Sequence, residues 1–208
     1  MLNTDGQYRL VFCSNADIQL DLFSRALAEN GFIGEPIFDY TADSVATEYC
    51  VGDNFLSSIT FMGCSPYIEF EPPATLQESD SADFCFIRIS KTKQRNIMYH
   101  AGQLESLKTV PRCVQCRKVI SNWQEQAERL NKNWQLHCSQ CDSDVNPDEL
   151  DWRKASGLGN IFMEVMNVYL QEAIPTEAFI KQLESMTSTK WLYFYTDNNI
   201  KTKFLDSV

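Results

Sequence analysis

Four cysteines in two close pairs constrain this chain more than any other feature. Cys113-Val-Gln-Cys116 and Cys138-Ser-Gln-Cys141 are separated by 21 residues. A CxxC turn aims two thiolates at one point, and two such turns complete a tetrahedral S₄ set. That set suits Zn²⁺ at Zn–S distances of about 2.3 Å. With all four positions filled by protein, no water is left to activate, so the expectation is one structural zinc per chain held by Cys113, Cys116, Cys138 and Cys141. The separation slightly exceeds the roughly 15–20 residues usual for this pattern. It therefore predicts a hairpin or short helix between the pairs, with residues 122–132 as the helical segment.

The segment 111–143 resembles the zinc-ribbon and rubredoxin-like knuckle families, on its four cysteines alone. The resemblance implies that these cysteines ligate metal, and a rubredoxin-like iron site uses the same four thiolates. Ribbon modules serve in nucleic-acid binding, in protein contacts and as plain staples, so no partner follows from it. Other readings of the cysteines fit less well. A thioredoxin-like redox pair needs a strand-to-helix junction and no second pair nearby. Disulfides need an oxidising compartment. His137 adjoins Cys138, but four thiolates already suffice, so it is read as a neighbour.

The remaining 170 or so residues need a core of their own. Of the 208 residues, 44% are hydrophobic and 22% charged, ordinary globular usage that argues against a disordered, fibrous or membrane chain. No apolar stretch nears the ~20 residues that span a bilayer. The opening MLNTDGQYRL has neither a basic stretch nor an apolar run, so no export signal is read there and the cytoplasm is the expected location.

Residues 8–13 (YRLVFC) read as a strand. Ser14 or Asn15, with Asp17, caps an expected helix over 16–30 that ends at Asn30-Gly31. Residues 32–54 hold at most a short strand broken by Pro36, and 55–62 and 84–89 read as strands. Residues 91–112 are basic and weakly patterned and read as a short strand or extended connection. Apolar residues at helical spacing predict helices over 158–172 and after Pro175, and Trp191 to Tyr195 closes as a strand. Without the cysteine segment the order is strand, helix, strand, strand, helix, strand. The expected fold is α+β: an antiparallel sheet with helices on one face, ferredoxin-like (βαββαβ) in plan. The expected domains are a core of 1–110 with 150–208 and an inserted zinc ribbon at 111–149.

The net charge of −10 is unevenly spread. Residues 1–90 carry 3 basic and 14 acidic side chains, residues 91–137 carry 9 and 3, and residues 138–208 carry 6 and 11. An acidic chain is repelled by nucleic acid and anionic membrane at long range, and no membrane partner is expected. The basic segment 91–137 nevertheless offers a nucleic-acid reading, with Arg117 and Lys118 on phosphates and Trp123 and Trp134 stacking on bases. The simpler reading makes the tryptophans the core of the small module.

Three further motifs carry weaker signals. Gly63-Cys64-Ser65-Pro66 is a turn that would place Cys64 as a nucleophile only if a base were supplied from elsewhere. Asp142 to Asp148 begins like a calcium loop but has Pro147 where glycine is needed and Arg153 where a bidentate Glu should stand. Gly157-Leu-Gly159 lacks the third glycine of a dinucleotide fingerprint and is read as letting a helix N-terminus approach another backbone. No catalytic residue is assigned. The expected function is that of a non-catalytic binding or adaptor protein with a structural Cys₄ zinc site, its partner a protein or small ligand. The alternative is nucleic-acid binding through 91–137.

Overall fold

The computed structural model describes residues 8–38, 46–62, 68–77, 83–100, 110–129, 135–169, 172–197 and 200–204. Its centre is a seven-stranded antiparallel sheet. The strands along it are β10 (Leu192–Thr196), β1 (Arg9–Ser14), β8 (Ser156–Met166), β5 (Phe86–His100), β3 (Ala46–Val51) and β2 (Ile33–Pro36), in that order. β11 (Ile200–Phe204) pairs with the far half of β5. Helices α1 (Leu20–Glu29) and α4 (Glu177–Thr187) pack on the sheet. A separate two-stranded ribbon joins β4 (Ile59–Phe61), which follows the short α2 (Phe55–Ser58), to β9 (Ala173–Pro175).

Alternation along the strands sorts the sheet residues onto two faces. Leu10, Phe12, Ile87, Ile89, Ile161, Met163 and Val165 share one buried cluster with Phe23 and Leu27 of α1 and Phe179 and Leu183 of α4. Rings lock it: Phe32 stacks on Phe179 at 4.2 Å between centroids, and Phe23 on Trp191 at 5.3 Å. On the opposite parity lie Val11, Cys13, Phe162 and Phe194, and beside them two ion pairs. Arg9 Nη1 donates to Glu164 Oε1 at 2.6 Å, and Arg88 Nε and Nη2 donate to Glu48 Oε1 at 2.9 and 2.7 Å. Glu48 is fully buried. The ladder registers Arg88 opposite Glu48 on one side and Glu164 on the other, so charges of alternating sign cross three strands.

The α+β class and the antiparallel sheet with helices packed on it agree with expectation, but the βαββαβ plan does not hold. The expected helix over 158–172 is mostly the central strand β8. Its run of apolar residues arises because it is buried on both faces, and a doubly buried strand loses the alternation that separates strand from helix. The residues Gly157 and Gly159 belong to this strand rather than to a helix start. A Cβ on Gly157 would lie 2.3 Å from Cys13 Sγ, and one on Gly159 would lie 2.5 Å from the Ser14 carbonyl oxygen. Close backbone approach is thus their role, against β1.

Smaller departures have local causes. α1 starts at Leu20, because Ser14 belongs to β1 and its hydroxyl bonds to Thr189 Oγ1 and the Lys190 carbonyl. Residues 55–58 form one helical turn instead of strand, held by the Ser57 and Ser58 hydroxyls donating to the Asn54 carbonyl. β5 continues to His100 through the stretch read as a short strand or extended connection, with a shift of register against β8 between Lys91 and Asn96. Thr176 caps α4 by accepting from Phe179 N–H at 3.2 Å.

Candidate metal centre

The segment containing the four cysteines connects the end of β5 to the start of β8, at the tip of the longest antiparallel ladder. It is built of two knuckles. In the first, Arg117 N–H donates to the Cys113 carbonyl at 2.8 Å and Cys113 N–H to the Lys118 carbonyl at 2.9 Å. In the second, Asp142 N–H donates to the Cys138 carbonyl at 2.9 Å. Each turn closes through a residue in left-handed conformation directly after its second cysteine, Arg117 (φ 57°) and Asp142 (φ 57°). β6 (Leu136–Cys138) and β7 (Ser143–Val145) form a hairpin around the second knuckle. α3 (Trp123–Arg129) lies between the knuckles, inside the segment expected to be helical.

The turns bring all four Sγ atoms within 4.8 Å of one another. Cys113 and Cys141 sulfurs are 3.7 Å apart, and Cys116 and Cys138 sulfurs 3.6 Å. A tetrahedron with metal–sulfur bonds of about 2.3 Å has edges of about 3.8 Å, so the set matches a four-thiolate metal cage. Cys113 and Cys138 are buried, Cys116 is partly buried and Cys141 is exposed.

The electrostatics carry the same message. Burial alone would raise the Cys113 thiol. The backbone N–H groups of Cys116 and Gln115, with Ser143 and Cys141, more than offset this and hold it down at about 6. At Cys116 the Lys118 N–H pulls downward, but desolvation and the three neighbouring thiols push it up to about 11. Four sulfurs this close do not all ionise without a cation among them. The donor set thus fits a metal ion.

Supporting residues were invisible in the cysteine spacing. Gln126 of α3 grips β6 at both polar atoms of one residue: Nε2 donates to the His137 carbonyl at 2.9 Å, and Oε1 accepts from His137 N–H at 2.6 Å. Ser143 Oγ lies 3.0 Å from Cys141 Sγ. His137 turns away from the sulfurs, with Nδ1 at 3.0 Å from Asp144 Oδ1 and Nε2 at 3.5 Å from Asp142 Oδ1. Beneath the knuckles, Ile120, Trp123, Leu136, Val145, Leu150 and Trp152 pack with Ile97 of β5 and Leu158 of β8. The module's core is therefore continuous with the end of the sheet.

Trp123 is 2% exposed and meets Trp152 edge to face at 5.1 Å. Buried in this way, it offers no ring face for a base to stack on. Arg117 and Lys118 are exposed on the first knuckle. Trp134 and Cys64 lie outside the described residues, so neither is placed. Burial pushes the Cys13 thiol up to about 12 and raises Cys85 too, which makes them inert core residues.

No helix among the described residues is long and apolar enough to cross a membrane. No protein-family model matches the chain, and no curated protein or solved structure is significantly similar to it.

Proposed function

We propose that this protein is a non-catalytic binding or adaptor protein whose four-cysteine centre holds one structural zinc ion. The observation that carries the reading is the sulfur geometry, two Sγ–Sγ edges of 3.7 and 3.6 Å in a cluster with no fifth protein donor grouped with it among the described residues. Cys113, Cys116, Cys138 and Cys141 would hold the ion. Bound there, it supplies cross-linking and charge neutralisation, with no coordination position open for substrate. Zinc is favoured over iron because a staple needs no redox chemistry. A reducing compartment such as the cytoplasm keeps these thiols available. The partner in this reading is a protein or a small ligand. A nucleic-acid role is less well supported, since Trp123 belongs to the module's core.

Native mass spectrometry with metal analysis on the same sample tests the proposal. The expected result is one zinc per chain, with metal content and unfolding midpoint lost together in Cys138→Ser. Iron with its visible absorption, or full stability in the metal-free protein, would overturn it.

A further inference from the structure

A cleft of about 520 Å³ opens beside the first knuckle, lined by Arg112, Cys113, Val114, Arg117, Asp151 and Arg153. Its two walls are the knuckle itself and residues 151–153, joined by paired backbone hydrogen bonds between Arg112 and Asp151 at 3.0 and 3.3 Å. Three arginines and one aspartate thus line it. Asp151 is already engaged: Oδ2 lies 3.3 Å from Arg153 Nε, and Oδ1 accepts from Arg153 N–H at 3.0 Å.

The arginines have spare capacity. A guanidinium carries five N–H donors. Arg112 uses one, Nη1 to the Arg117 carbonyl at 3.0 Å, and its Nε is buried with no partner. No hydrogen bond or ion pair joins the Arg117 side chain to another of the described residues. Neither side chain donates to a cysteine sulfur, so neither is aimed at neutralising the thiolates. Arg117 and Arg153 also occupy left-handed backbone, φ 57° and 54°, where glycine or asparagine is easier. At Arg117 this backbone is the knuckle's closing turn, as at Asp142, and it presents the side chain outward on the exposed surface.

We propose that this cleft binds a small ligand through an oxyanion, phosphate or carboxylate, gripped by Arg112, Arg117 and Arg153. The proposal deepens the reading of the chain as a binding protein and rests on it. Guanidinium forks match both anions in two-point fashion. The volume falls in the range of small-molecule sites. Among the described residues no aromatic side chain lines the cleft, and the chain's −10 charge opposes an approaching polyanion, so a compact anion fits better than a nucleic-acid strand.

The test is calorimetric titration of the metal-loaded full chain with inorganic phosphate and, separately, succinate, at ionic strength fixed with sodium chloride. A single-stranded oligonucleotide is titrated in parallel. The expected result is saturable binding of at least one of the two anions, weakened about tenfold or more in Arg117→Asn and in Arg153→Gln. Metal content, measured on the same samples, is expected to be unchanged. The preferred anion tells phosphate from carboxylate. Absence of saturable binding by both anions, or unchanged affinity in both variants, would overturn the proposal. Metal loss in Arg117→Asn would instead assign the arginines to the metal centre. Oligonucleotide binding that is tighter and falls steeply with salt would replace the small-anion site by a nucleic-acid interface. Loss of the zinc reading alone, through Cys138→Ser that keeps its stability, leaves the cleft titrations interpretable.

Discussion

Arg117 and Asp142 do the same backbone job in the two knuckles, and neither is glycine. A left-handed residue after each second cysteine lets its N–H reach the carbonyl of the first. For a non-glycine residue that conformation costs about 1–2 kcal/mol. Arg117→Gly should therefore raise stability by about 1 kcal/mol in denaturant unfolding with metal content unchanged, part of the gain being offset by the freer unfolded chain. The thiols make a second residue-scale prediction, for the metal-free protein. Cys113, held down at about 6, contributes stability that is full above the ordinary thiol value of 9.0 and fades as pH falls toward 6. Cys116, pushed up to about 11, contributes stability that is full below 9.0 and fades as pH rises toward 11. Denaturant midpoints of the metal-free chain should therefore peak near pH 9. A profile that rises steadily from pH 9 to 6 would contradict the assigned shifts.

At the scale of elements, the instructive case is β8. Residues such as Ile161, Val165 and Val168 have helical spacing, yet Ile161 and Val165 sit in a strand flanked by β1 and β5. Helical periodicity reports one buried stripe, and a strand with both faces buried shows no stripe at all. What separated the two readings lay upstream: Gly157 and Gly159 are poor helix residues but suit a strand pressed against a neighbour. Gly157→Ala should destabilise the protein by about 1–3 kcal/mol, the usual cost of overpacking, because Cys13 and Phe194 must give way. A thermal midpoint at or above wild type would show that this contact yields freely. By contrast, α4 was legible residue by residue, since Thr176 caps it and Phe179 and Leu183 form one apolar stripe.

For the whole molecule, the second face of the sheet is organised by charge as well as by packing. Glu48 and Arg88 form a buried pair on neighbouring strands. Glu48→Ala leaves a guanidinium without its carboxylate and should cost about 3–5 kcal/mol. The double change Glu48→Leu with Arg88→Met should recover most of that loss, since apolar replacements of a buried pair are often neutral. A double-mutant cycle with strictly additive costs would refute the pairing energy. The four-cysteine module hangs from this sheet rather than floating free, for Ile97 and Leu158 enter its core. Hydrogen exchange on removal of metal should accordingly quicken in residues 111–158 while β1 stays protected.

The four-cysteine cage is written in neighbouring residues, because CxxC turns are local and a tetrahedral ion needs only two of them brought together. Strands β1 and β10, α4 and the helix between the knuckles are legible in the same way, where β-forming runs, capping and one-sided burial leave their mark on neighbouring residues. Long-range packing, by contrast, makes 156–166 a central strand, sets the module at the tip of β5 and β8, and buries Trp123 in the core. It also brings Arg112, Arg117 and Arg153 together in the lining of one cleft, since Arg153 lies 36 positions beyond Arg117 and reaches it through the Arg112–Asp151 backbone pairing. Such pairings join residues far apart in the chain, and no local periodicity encodes which strand will lie beside which.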